Sequence, residues 1–134
     1  MACSVDRQMK FYSLKFRRVM NQVTGAHSDM INACQFCHAQ PLAITAGSDR
    51  VIKVWDVNNA VSKGKMGCSS GVYSLDIAMT DSVAATGHRD GSVRLWSIRD
   101  SKMMQEIRNV HDSLISSCQY NPGDGNQLIT SSRD

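Results

Sequence analysis

Apolar residues in this chain come in short runs, alternating with polar ones, and every run is of strand length. The runs are Ile31–Phe36, Leu42–Thr45, Val51–Trp55, Val72–Ile77, Val83–Thr86, Val93–Trp96, Met103–Ile107, Leu114–Tyr120 and Leu128–Thr130. Each covers about four to seven residues, too few for an ordinary helix but typical of a strand. Turn residues separate them: Gly47-Ser48-Asp49, Thr80-Asp81, Arg89-Asp90-Gly91, and the cluster Asn121-Pro122-Gly123-Asp124-Gly125-Asn126. No segment holds a helical period. Ser101–Val110 comes nearest, but it lies where a further strand is due. The pattern predicts an all-β sandwich, barrel or propeller.

A longer period overlies the short one. An aspartate is followed six positions later by a large aromatic at Asp6–Tyr12, Asp49–Trp55 and Asp90–Trp96, and Asp134 stands last with no aromatic after it. The four aspartates lie 43, 41 and 44 residues apart. A period in the forties marks a repeat architecture and selects the propeller among the all-β alternatives.

The units themselves resemble the WD-repeat family, whose repeat is a four-stranded antiparallel blade. One unit runs from Gly25-Ala26-His27 through Ile31–Phe36 and Leu42–Asp49 to Trp55-Asp56. A second ends Thr86-Gly87-His88-Arg89-Asp90-Gly91-Ser92-Val93-Arg94-Leu95-Trp96-Ser97, and a third opens at Val110-His111 and stops at Asp134. The expected organisation is the outer half of a partial blade over 1–24, blades over 25–66 and 67–108, and the inner half of a blade over 109–134. The resemblance implies about three blades, an open arc of a seven-bladed ring whose remainder lies outside this chain. Two copies completing each other's half-blades in a six-bladed ring is the alternative.

Side-chain chemistry suggests why these residue types recur. A Trp Nε1–H can only donate a hydrogen bond, a threonine hydroxyl can receive it and pass one on, and a histidine can relay it to a carboxylate. His27, Thr45, Asp49 and Trp55 are therefore a candidate structural network, with Thr86, Asp90 and Trp96 in the second unit and His111, Thr130 and Asp134 in the third. The second unit has Cys68 at the offset where the first has His27, and its Gly87-His88 is displaced toward the aspartate. Its network is therefore expected to be truncated and its blade looser. A histidine, an aspartate and a hydroxyl also make the trio of a hydrolase, but the trio recurs once per unit, as a structural device would, and no Gly-x-Ser-x-Gly elbow accompanies it.

Composition narrows the function. A net charge of +3 over 134 residues, with the basic residues scattered, gives no footprint for nucleic acid. No apolar run is long enough to span a membrane, and the first residues hold no signal-peptide core, so the expectation is a cytoplasmic protein without membrane insertion. The five cysteines, Cys3, Cys34, Cys37, Cys68 and Cys118, are expected to be free thiols. Cys34-Gln35-Phe36-Cys37-His38 spells a haem-attachment string, but residues three apart on a strand point to opposite faces, and no second pair stands at zinc-ligand spacing. Lys15-Phe16-Arg17-Arg18 is expected to be a solvated hairpin. No cofactor, metal or catalytic residue is assigned.

The order of irregularities is more specific. The missing histidine at Cys68, the displaced Gly87-His88, Trp96-Ser97-Ile98-Arg99, Asn121-Pro122 and Ser131-Ser132-Arg133-Asp134 together resemble the C-terminal propeller of the autophagy-related protein 16-like family. That resemblance implies a non-enzymatic scaffold with protein partners, acting in autophagosome formation. Trp96-Ser97-Ile98-Arg99 also resembles the Trp-Asp-x-Arg box by which some WD proteins dock onto a cullin–RING ubiquitin ligase adaptor, with Ser97 in place of the aspartate. Arg99 is then a possible adaptor contact, and a ligase adaptor or substrate receptor is the alternative function.

Overall fold

Alternating side chains stand on opposite faces of a strand, so a run that is apolar at every second position pairs with its neighbours and buries one face. In the computed structural model this happens repeatedly. It describes residues 2–134, with side chains from Ser4 onward, so the Cys3 thiol lies outside the described residues. Thirteen strands and no helix occur among the described residues, and none of them forms a helix long and apolar enough to cross a membrane.

The strands make four antiparallel sheets in chain order. The first holds β1 (Ala2–Cys3), β2 (Met9–Ser13) and β3 (Arg18–Val23). The second holds β4 (Ile31–Phe36), β5 (Leu42–Gly47), β6 (Val51–Asp56) and β7 (Val61–Gly67). The third holds β8 (Val72–Ile77), β9 (Val83–His88), β10 (Val93–Ser97) and β11 (Lys102–Ile107). The last holds β12 (Ile115–Asn121) and β13 (Asp124–Ser132). Strands are hydrogen-bonded strictly in sequence order within each sheet, so every sheet is a meander and no sheet closes on another. The fold is all-β, an open fan of propeller blades.

Even the backbone irregularities repeat. The pairing register shifts at Phe11/Tyr12, Val54/Trp55 and Leu95/Trp96, beside the large aromatic of each unit. It shifts again at the start of the first strand, at Ile31/Ala33, Val72/Ser74 and Ile115/Ser117. Such bulges raise the local twist, which lets successive sheets pack face to face at an angle.

The core lies between sheets rather than inside one. Met9, Phe11, Ala26, Ile31, Ala43 and Trp55 are buried between the first and second sheets. A larger cluster, including Ile44, Ile52, Val54, Met66, Val72, Ile77 and Trp96, joins the second to the third. Val93, Ile115 and Cys118 join the third to the fourth. Each tryptophan thus packs back toward the preceding sheet. Asp81 adds a polar clamp: its carboxylate accepts from the amides of His38 and Ala39 at 2.7 Å each and of Gln40 at 3.1 Å, tying the third sheet to a loop of the second.

Two local readings change. Asn121–Asn126 is not a six-residue loop; only Pro122-Gly123 turns, and Asp124 already pairs with Asn121. Residues 123–127 are exposed, so that end of the strand tolerates polar side chains. The outer strands β3 and β7 lack a legible apolar run because most of their positions face solvent.

Candidate functional site

The polar residues of each unit gather where the second and third strands meet the connection into their sheet. In the second sheet, Trp55 Nε1–H donates to the Thr45 hydroxyl at 2.8 Å. The Thr45 proton then goes to His27 Nε2 at 2.7 Å, so Nδ1 carries the imidazole proton and donates to Asp49 at 3.0 Å. Thr45 is wholly buried and His27 nearly so. Burial lowers the His27 pKa and outweighs the pull of Asp49, leaving the ring neutral. Burial opposes ionisation of Asp49, but hydrogen bonds from His27 and the Ser28 amide outweigh it and hold the carboxyl below its ordinary range. Lys53 donates to the Ala26 carbonyl and stands 5.5 Å from the Trp55 ring, closing the site.

The third sheet corrects the expected truncation. Trp96 Nε1–H donates to Thr86 at 2.7 Å, and Thr86 meets an imidazole after all, that of His88, at 2.8 Å. Residues 86 and 88 share a face of β9, so a histidine two positions on from the threonine reaches the same hydroxyl. His88 Nδ1–H donates to the Ser70 carbonyl at 3.2 Å instead of to the aspartate. Burial drives the His88 pKa down to about 4, assisted by the Arg94 charge. Asp90 turns to Arg94, whose Nη2 lies 2.8 Å from Asp90 and whose Nε donates to Glu106 at 2.9 Å. Arg94 is buried, and its Nη1 has no hydrogen-bond partner among the described residues. His88 and Arg94 were not among the network residues read from the sequence. The signals were the displaced histidine and the basic residue four places after the aspartate, Lys53 in one unit and Arg94 in the next.

In the last sheet His111 Nε2 lies 3.0 Å from the Thr130 hydroxyl and Nδ1 lies 3.2 Å from Asp134. No tryptophan completes this set.

The networks of the second and third sheets cannot perform nucleophilic chemistry. A nucleophilic hydroxyl needs a free approach to substrate and a base to take its proton. Thr45 and Thr86 are fully buried, and each is already bonded to a tryptophan and a histidine. Two of the thiols are withdrawn as well: burial pushes Cys37 up to about 11 and Cys68 up to about 12. No group of three or more His, Cys, Asp or Glu side chains among the described residues could hold a metal ion. The basic cluster forms the β2–β3 turn, where Lys15 and Arg18 stand 5.4 and 5.8 Å from the Phe16 ring. Arg99 is exposed and lines a cleft of about 380 Å³ with Leu42, Val54, Ile98 and Asp81, at the end of the sheets opposite the networks.

With polar chemistry turned inward, the loops at the blade ends are what the molecule presents. At the network end, the turn after each aspartate is left-handed, with φ of 65° at Arg7, 63° at Arg50 and 74° at Gly91. Its carbonyl accepts from the connection to the next sheet: Arg7 from Ala26 at 3.0 Å, Arg50 from Cys68 at 2.8 Å and Gly91 from His111 at 3.2 Å. The loops are therefore held as one surface.

Known proteins share this pattern. The family described as WD domain, G-beta repeat matches residues 18–56 and 61–97. Autophagy-related protein 16 of Arabidopsis thaliana is 26% identical over 99% of this chain, and Protein tipD of Dictyostelium discoideum is 28% identical over 98%. The chain spans 26% and 21% of those two proteins' lengths. The WD40 beta propeller domain of Doa1 superposes with a TM-score of 0.83 at 21% identity, over 97% of this chain and 42% of that one. Repeat length, strand order, inter-sheet cores and the matched residues agree: the chain belongs to the WD-repeat family.

Proposed function

We propose that this chain is a segment of a non-enzymatic protein-interaction scaffold that acts in autophagosome formation. The observation that carries the scaffold reading is the fate of the polar residues. In the second and third sheets the threonines and histidines that could do chemistry are committed to buried networks, while loops at the blade ends are pinned and exposed. Similarity to autophagy-related protein 16 along nearly the whole chain supports the pathway. Affinity capture with the full-length protein, followed by mass spectrometry, should recover components of the autophagic conjugation machinery. Recovery of no protein partner, together with a hydrolytic turnover lost on Thr45→Val, would overturn the scaffold reading.

A second reading follows from Arg99, which is exposed beside an apolar-floored cleft. In it the chain docks a cullin–RING adaptor. Arg99→Ala should then abolish capture of the adaptor without lowering the melting temperature, and unchanged capture removes this reading.

A further inference from the structure

We propose that the cleft between the β4–β7 and β8–β11 sheets, at the network end, docks an acidic peptide segment of a protein partner, with Arg50 and Arg89 receiving its carboxylates. The proposal rests on the interaction-scaffold reading and adds the chemistry of the partner. The cleft has a volume of about 490 Å³ and brings Arg50 and Arg89 together with the hydroxyls of Ser48, Ser70 and Tyr73. Both arginines are exposed, and neither guanidinium has a hydrogen bond or ion pair among the described residues. Asp29 is the one acid in the lining, and its carboxylate accepts from the Met30 amide at 2.7 Å.

Charge at this end is sorted in one direction. The network carboxylates are occupied: Asp49 by His27 and Ser28, Asp90 by Arg94 and Ser92, Asp134 by His111 and the Asp112 amide, which leaves Asp112 as the exposed acid whose carboxylate makes no hydrogen bond among the described residues. The arginines beside them, Arg7, Arg50, Arg89 and Arg133, are exposed and uncommitted. What the surface offers a partner is therefore positive charge on planar, bidentate donors, which match carboxylates in geometry as well as sign. The backbone supports the same reading. Arg50 sits at φ 63°, a conformation that favours glycine, and the next unit has Gly91 at that place. The Arg50 guanidinium gains no hydrogen bond or ion pair among the described residues to offset the strain. Arg89 likewise occupies the place of Ser48 in the preceding unit.

These equivalences supply a test free of misfolding. Arg50→Gly and Arg89→Ser put into each turn the residue its neighbouring unit already carries. Fluorescence anisotropy of a fluorescein-labelled hexaglutamate peptide, titrated into the full-length protein, reads binding. The double variant should weaken binding at least tenfold and leave the melting temperature unchanged or raised. Removing two charges at the other end, with Lys15→Ser and Arg17→Ser, should leave binding within twofold. Equal binding of hexaglutamine, equal loss in the two double variants, or no loss in the first overturns the proposal. So does binding of anionic phospholipid vesicles through Arg50 and Arg89 without binding of the peptide. If protein partners are still captured while the peptide fails to bind, this proposal falls and the scaffold reading stands.

Discussion

A threonine hydroxyl has one proton and two lone pairs, and that inventory orders each network. Because tryptophan can only donate, Thr45 must hand its proton to His27, and His27 must hand its other proton to Asp49. His27→Ala removes an acceptor and a donor from a site closed to water, and each orphaned group retains its desolvation cost. The expected loss is about 2–3 kcal/mol of unfolding free energy, measured by urea denaturation of the full-length protein. An unchanged midpoint would refute the structural role of His27. His88→Ala should cost about as much, since His88 holds the equivalent hydroxyl from a different position in the chain. The residue types of the first network were legible because they recur at a fixed offset. The role of His88 was less so, because it depends on residues 86 and 88 sharing a strand face and on Ser70 lying opposite.

Strands of one sheet are matched by local pairing, but neighbouring sheets are matched by close approach at a few points. Gly87 is one of them. A Cβ there would lie 2.5 Å from Ile115 Cγ2 and 2.8 Å from Ile115 Cβ, and would meet the Ser74 hydroxyl. Gly87→Ala should therefore push β9 from β12 and cost about 1–3 kcal/mol, as overpacking does. Thermal denaturation checks this, and Ile115→Ala, which removes Cγ2, should cost less in the Gly87→Ala background than by itself. Asp81 is another such point. Its carboxylate serves three amides of the preceding sheet's loop, where Asn would keep one acceptor oxygen. Asp81→Asn should cost about 2 kcal/mol and speed amide hydrogen exchange at residues 38–40 before it affects β5. The inner strands were readable from their apolar runs, which are buried on a face. The outer strands β3 and β7 were not, since mostly exposed positions leave no pattern to read.

At the scale of the whole molecule, two buried neutral histidines make stability fall with acid. An unfolded chain protonates these histidines near pH 6.5, whereas folded His88 resists until about pH 4 and folded His27 is shifted the same way. Between those limits the unfolded state binds more protons, so stability is full above pH 6.5 and drains away as pH falls. At roughly 1.4 kcal/mol per pH unit, His88 alone accounts for about 3 kcal/mol by pH 4. The melting temperature should therefore drop steadily from pH 7 to pH 4.5, and His88→Gln should flatten that slope; a flat wild-type profile would contradict the buried neutral ring. Below that range Asp49 and Asp81, both held below their ordinary values, withdraw further stability as they protonate. The sequence by itself determined the repeat, the strand class and the threonine–tryptophan pair of the two full units. A hydrogen-bond network confined to one hairpin demands set residue types at set spacings, and a period records them. Only the tertiary structure decided the substitution of His88, the pairing of Arg94 with Asp90 and Glu106, the Asp81 clamp and the meeting of Arg50 with Arg89. Those contacts depend on how one twisted sheet faces the next, and that orientation is set by packing across the whole inter-sheet core rather than by any local spacing.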